Sequence, residues 1–283
     1  MQRPTLEITT MIGCPLMCNF CPQDNLRDMY GKESPKYMSL DTFKAAVSKI
    51  PKNTRIDFSG MAEAWVNPSA TDMLEYALTE GFAVAVYTTL YNWTEETARR
   101  VLNLFSSHRE KIEVFSIHFP DEYGNMKGWK YSEEWEKVFH LMSIGVQQMR
   151  IKLEAMTMSD HGKIHPDLEH LGIQLYNWFG HDRAGTLNKE QVKEQPINFI
   201  PRHEQPVRCS KTINYDQHVL LPNGDVVLCC MDYDLKHVLG NLVTQTYQDL
   251  FTGPAMTSLI RENSKSCYSS ATLCKSCTDA EYY

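Results

Sequence analysis

From Thr5 to Trp178 short β-rich runs alternate with amphipathic helical patterns, and that order is satisfied by a parallel sheet with helices packed against it. Residues 6–10, 55–59, 83–88, 112–117, 149–154 and 173–178 read as strands. Between them helices are expected to start at the N-caps Ser39, Ser69, Thr94 and Ser132, and Gly81 and Gly145 stand where two of them should stop. Four clear strand–helix units and a less distinct fifth predict an α/β fold, a partial TIM-like (β/α)6 barrel of about six strands, since a complete eight-unit barrel needs more chain. The barrel should occupy residues 1–180. A polar connector with Pro196, Pro201 and Pro206 follows over residues 181–208. A small domain over residues 209–283 should hold a β-hairpin at residues 218–228, turning at Pro222, Asn223 and Gly224, and a helix.

In parallel strand–helix architectures chemistry collects in the loops after the strands. The loop after the first strand holds Cys14, Cys18 and Cys21, and six further cysteines lie between Cys209 and Cys277, with none in between. Two separate cysteine sites are implied. Residues 1–10 lack the apolar core of a secretory signal and no segment is apolar enough to span a bilayer, which places the chain in the cytoplasm, without a membrane. Thiols stay reduced there, so nine cysteines point to metal binding or catalysis. A net charge of −7 argues against a broad nucleic-acid footprint.

Cys14-Pro-Leu-Met-Cys18-Asn-Phe-Cys21 is a CxxxCxxC loop. Three thiolates can hold three irons of a [4Fe–4S] cluster and leave the fourth iron open to a small molecule. A zinc site would need a distant fourth ligand. The loop, with Phe20 before its third cysteine, resembles that of the radical S-adenosylmethionine (SAM) superfamily. The resemblance implies that the open iron chelates SAM. It also implies that an electron donor such as flavodoxin or ferredoxin drives cleavage to a 5′-deoxyadenosyl radical, which takes a hydrogen atom from a substrate.

Asp57-Phe58-Ser59-Gly60-Met61-Ala62-Glu63 resembles the family's GGE-type element, with Ser59 in place of the first glycine. By that likeness Gly60 and Glu63 contact the amino group of SAM. Glu63 as a solvated loop acid is the other reading. At later strand ends stand Thr88 and Thr89, Ser116 and His118, and Lys152 and Glu154, each a candidate contact or base, with Lys152 and Glu154 equally able to form an ion pair.

The tail resembles the SPASM and twitch extensions of the superfamily. The resemblance rests on Cys209, on Gly224 followed by Cys229, on Leu239-Gly-Asn-Leu242, and on Cys274-Lys-Ser-Cys277. It implies one auxiliary [4Fe–4S] cluster on Cys209, Cys229, Cys274 and Cys277, two clusters in all. Four thiolates would leave that cluster without an open iron, which favours electron transfer. Cys267 is left over, or replaces one of these four ligands. Cys230 is either a packed small residue or a thiol hydrogen donor. An Arg183-Ala-Gly185 element also recurs in SPASM-like proteins, and Arg183 there would bind a carboxylate or phosphate of substrate or SAM, or form an ordinary surface ion pair. Asp232 and Tyr233 are further candidate contacts, and residues 121–131, with Tyr123, Trp129 and Tyr131, a candidate lid.

The expected activity is hydrogen abstraction from a small polar molecule, such as a sugar or aminocyclitol, followed by loss of one electron to the auxiliary cluster. The proton acceptor would be His118, Lys152 or Glu154. An epimerase that quenches its substrate radical with Cys230 is the competing reading, and modification of a ribosomally made peptide a third. A non-enzymatic metal-binding or RNA-binding module would also use clustered cysteines, but the acidic balance and the open-iron loop weigh against it.

Overall fold

The computed structural model describes residues 3–157, 163–176, 182–187 and 202–283. Strands β1 (Thr5–Ile8), β2 (Arg55–Phe58), β3 (Ala83–Thr88), β4 (Ile112–Phe119) and β5 (Leu153–Thr157) pair in parallel in the order β5-β4-β3-β2-β1. Helices α1 (Gln23–Tyr30), α2 (Leu40–Val47), α3 (Ala70–Thr79), α4 (Glu95–Ser107) and α5 (Glu133–Gln148) fill the crossovers. Leu6, Ile8, Ile56, Phe58, Val84, Val86, Phe115 and Ile117 are buried against them, each worth about 1.5–3 kcal/mol when fully removed from water. Among the described residues no helix is long and apolar enough to cross a membrane.

Ser39, Thr94 and Ser132 cap their helices, accepting from the backbone N–H of Thr42, Thr97 and Trp135. Ser69 stands at the start of α3 without a side-chain cap, and its own N–H is taken by Asn67 Oδ1 at 2.9 Å. Gly81 follows α3 with φ +82°. Gly145 does not stop α5, which continues to Gln148. An added Cβ there would lie 2.6 Å from Leu102 Cδ2 of α4, so this glycine serves close helix contact. The real stop is Arg150, in the left-handed region at φ +55°. Strand β5 therefore begins at Leu153, later than the sequence pattern suggests.

The expected sixth strand is not formed over its described part. Residues 173–176 lie beside β5 as irregular chain, Tyr176 N–H donating to Ala155 O at 2.7 Å, and residues 177–178 fall outside the described residues. The connector's His181, Pro196 and Pro201 also lie outside them. The sheet grows instead at its other edge. After β6 (Val207–Cys209), strand β7 (Gln217–Leu220) pairs in parallel with β1, matching Glu7 with Val219. Strands β8 (Asp225–Val227) and β9 (Val238–Asn241) continue it antiparallel. The β7–β8 turn uses Gly224 at φ +88°, as the hairpin pattern predicts. Helices α6 (Asp249–Thr252) and α7 (Pro254–Asn263) follow, and β10 (Ala280–Tyr282) returns to pair with β6.

The 121–131 loop is clamped to the cysteine loop. Asn19 donates from N and Nδ2 to Asn125 O and Oδ1 at 2.8 and 2.9 Å, while Asn125 is held by both oxygens of Asp121. Trp129 is buried edge-on against Trp135, and Tyr131 bonds Glu136 at the surface. Gly128 N–H donates to Leu16 O at 2.7 Å, and a Cβ at this glycine would fall on the Pro15 carbonyl, 2.8 Å from Leu16 Cα. Gly128→Ala should thus push the clamp off the cysteine loop, costing about 1–3 kcal/mol. A thermal melt of the metal-free chain and its iron uptake on reconstitution should both fall.

Candidate functional site

Parallel strands buried on both faces normally read as unbroken apolar runs. Here they alternate, Thr5-Leu6-Glu7-Ile8 in β1 and Arg55-Ile56-Asp57-Phe58 in β2. The apolar set packs under the helices, and the polar set lines a cavity of about 360 Å³ together with Tyr87, His118 and Gln217 of β3, β4 and β7. Cys14, Cys18, Cys21 and Phe20 form its mouth, with Gly60, Glu63, Thr88 and Thr89 beside them.

Gly60 is in the left-handed region at φ +63°, and a Cβ there would stand 2.5 Å from Thr9 Oγ1 and 2.8 Å from Thr9 N. Only glycine lets the end of β2 cross the end of β1 so closely. Met61 N–H then donates to Thr9 Oγ1 at 3.0 Å. Gln23, at the start of α1, accepts from Cys14 N–H at 3.2 Å and donates to Met61 O at 2.6 Å, tying the cysteine loop to the 59–63 loop.

Glu63 is no solvated loop acid. It is buried and accepts from Thr88 Oγ1 at 2.7 Å and from Thr89 N and Oγ1 at 2.7 and 2.8 Å. Burial raises its pKa even so, which makes its carboxylate receptive to a cation at the cavity. Asp57 is committed, gripped by Arg55 Nε and Nη2 at 2.6 and 2.7 Å.

The second cysteine group surrounds a neighbouring cavity of about 300 Å³, lined by Cys209, Cys229, Cys274 and Cys277. Cys267 is exposed and lies off its wall. Glu7, Tyr87, His118, Arg183, Gln217 and Cys230 line both cavities, so the two compartments share a partition. Among the described residues no three His, Cys, Asp or Glu side chains are drawn together tightly enough for a single metal ion. Three-sulfur and four-sulfur walls around cavities suit a cluster that brings its own iron and sulfide. Burial pushes the Cys14 thiol up to about 11 and raises Cys229 and Cys274, so thiolates at these positions require a cationic partner.

The remaining predicted residues divide. Arg183, 8% exposed, is a buried cation and not a surface ion pair, donating from Nε to Phe20 O at 3.2 Å and from Nη1 to Cys230 O at 3.4 Å. His118 is half-buried with its Nε2 enclosed and unpartnered, and desolvation lowers its pKa to about 4, so it is neutral. Ser116 is buried one strand-step deeper with no partner for Oγ and lines neither cavity. Lys152 precedes β5, is 65% exposed at its side chain, and pairs with Glu154 at 2.5 Å. Neither Lys152 nor Glu154 reaches the two cavities, because the later start of β5 leaves Glu154 at the strand's N-terminal end. Asp232 is spent on the N–H groups of Lys236 and His237, whereas Tyr233 lines the first cavity.

Glu7 was not singled out from the sequence, and it is the partition's carboxyl. Burial, then the charge of Asp57, raises its pKa from 4.5 to about 7, opposed by the Cys230 thiol, Arg183 and Ser59. Gln23, Tyr87 and Gln217 were missed with it. The available signal was an acid in the middle of a first parallel strand, where both faces should be apolar.

Residues 209–278 match the family model of SPASM, an iron–sulfur cluster-binding domain. No curated protein matches the chain. Among solved structures, BtrN in complex with AdoMet and 2-DOIA has a TM-score of 0.62 at 16% identity, covering 98% of this chain and 94% of that one. Native anSMEcpe with bound AdoMet and Cp18Cys peptide has a TM-score of 0.56 at 13% identity, covering 93% and 84%. At such identities the likeness is one of fold. The three-cysteine loop thus opens at the mouth of a fold shared with these structures, and behind it the chain carries a C-terminal SPASM iron–sulfur cluster-binding domain.

Proposed function

We propose that the chain is a radical SAM oxidoreductase acting on a small polar substrate held between two [4Fe–4S] clusters. The partition shared by the two cysteine-lined cavities carries this reading, because it puts one compartment within reach of both sites. Cys14, Cys18 and Cys21 would hold the first cluster, and Cys209, Cys229, Cys274 and Cys277 the auxiliary one. When bound, the first cluster and SAM supply a 5′-deoxyadenosyl radical and the auxiliary cluster takes up an electron.

The chain's own residues divide the remaining work. Glu63, held by Thr88 and Thr89, and the backbone at Gly60 would receive the amino group of SAM. Glu7 replaces Lys152 and Glu154 as proton acceptor, since its carboxyl stands on the partition and is not locked in an ion pair. Neutral His118 would accept a substrate hydroxyl at Nε2. A cavity of about 360 Å³ suits a small molecule better than a peptide, and BtrN with 2-DOIA is covered more fully than anSMEcpe with its peptide. The electron source would be a flavodoxin or ferredoxin, in the reducing cytoplasm.

One observation favours a second reading. Cys230 lines both cavities together with Glu7, the placement an epimerase needs for its hydrogen donor. Turnover in deuterated water separates them. Oxidation leaves the attacked carbon free of solvent deuterium; epimerisation installs it.

Anaerobic reconstitution should give a brown protein with about eight irons that forms 5′-deoxyadenosine from SAM under reduction. Cys14→Ala should abolish that product. Alanine at Cys209, Cys229, Cys274 or Cys277 should keep it while iron falls to about four, and Cys267→Ala should change neither. Colourless protein with stoichiometric zinc would overturn the assignment.

Glu7 also carries a pH signature. Its folded pKa of about 7 lies above the ordinary 4.5, so the fold favours the protonated form. That contribution is whole below pH 4.5 and is lost as pH rises through about 7, at most about 3 kcal/mol for this half-buried carboxyl. Denaturant unfolding of the metal-free chain should show this loss, and Glu7→Gln should flatten it.

A further inference from the structure

Arg183 sits where the two cysteine groups come nearest to sharing a neighbour. Its Nε holds Phe20 O inside the CxxxCxxC loop, and its Nη1 holds Cys230 O beside Cys229, with Met231 Sδ at 3.9 Å. Cys21, Arg183 and Tyr233 line the same cavity, and the Tyr233 ring centroid lies 5.5 Å from Arg183 Cζ. Among the described residues no carboxylate comes within ion-pair distance of this guanidinium. The backbone aims it inward: Arg183, Ala184 and Gly185 are all left-handed, at φ +50°, +53° and +86°. Bonds from Gly185 and Leu187 N–H to Asp182 O, and from Thr186 N–H to Arg183 O, close the turn. A conformation that non-glycine residues avoid is thus built into the chain before any ligand arrives.

We propose that Arg183 is a positioning residue whose role is electrostatic, its buried charge, pinned between the cysteine loop and the Cys229–Cys230 corner, setting how easily the loop cluster is reduced. This rests on the reading that Cys14, Cys18 and Cys21 hold such a cluster. One-electron reduction makes the cluster more negative, and a fixed cation in a low-dielectric wall stabilises the reduced form. The flexible binding of a SAM or substrate carboxylate is a different role, and it requires the ligand to be present.

The test therefore omits SAM and substrate. Full-length wild type, Arg183→Met, Arg183→Lys and Glu7→Gln are reconstituted anaerobically, and the loop signal, identified by its loss in Cys14→Ala, is titrated by potentiometric EPR. The titration is run at about pH 8.5, above the Glu7 transition. Arg183→Met should disfavour reduction at least tenfold, ~59 mV for a one-electron couple, with Arg183→Lys restoring most of it. Glu7→Gln removes an anion facing the guanidinium and should shift the loop signal the opposite way. An Arg183→Met protein with full iron content and a loop potential within twofold of wild type overturns the proposal. Should Arg183→Met fail to assemble, an unshifted Glu7→Gln overturns it instead. Wild type that takes no cluster on the loop would sink the functional reading, a failure visible in the iron count before any potential is measured.

Discussion

The parallel pairing of β7 with β1 is the contact on which the site depends. A partial barrel leaves the far edge of its first strand open, and an open edge offers unpaired N–H and C=O groups. Here Thr5 N–H and Thr9 N–H donate to Asp216 O and Leu220 O, both at 2.9 Å. The auxiliary hairpin is thereby a continuation of the barrel sheet, and its corner at Cys229 and Cys230 lands on the polar interior wall. Had the tail folded as a detached module, Cys209, Cys229, Cys274 and Cys277 would still form a cavity, but not one that shares Glu7, His118 and Arg183 with the loop site.

Buried charge in this wall is arranged unevenly. Asp57 is answered by the two-pronged Arg55, and Glu63 by two threonines. A buried ion whose partners are complete is inert, whereas one with spare capacity invites a ligand or a proton. Glu63, met only by neutral donors, keeps room for a cation, and Glu7 and Arg183 face each other across the partition without an ion pair. The wall is therefore set up to hold one group of each charge sign between the two cysteine-lined cavities.

Much of this was legible in the sequence. The strand–helix alternation, three of four helix caps, the hairpin turn and the spacing of the cysteines are local signals, and local signals survive folding. What misled was a boundary. Gly145 reads as a helix stop because glycine often follows a C-cap, yet here it answers Leu102 on the next helix, a tertiary demand invisible along the chain. That shift of a few residues carried Lys152 and Glu154 from the expected active end of β5 to its opposite end. The β1–β7 contact was equally hidden, since nothing local announces which edge a hairpin will join.

Glu7 was hidden for a different reason. Period-two alternation in β1 is present in the letters, but it serves there as a strand signal and not as a statement about what lies on the second face. In a parallel sheet wrapped by helices, a polar second face has no solvent to meet. Thr5, Glu7, Arg55, Asp57, Tyr87 and His118 must face a cavity or one another. Alternation in strands whose neighbours are all parallel is thus a signature of an internal polar chamber, and an acid on it without an ion-pair partner is the first residue to suspect of chemistry. The cysteines announce where such a chamber opens; the alternation announces what waits inside.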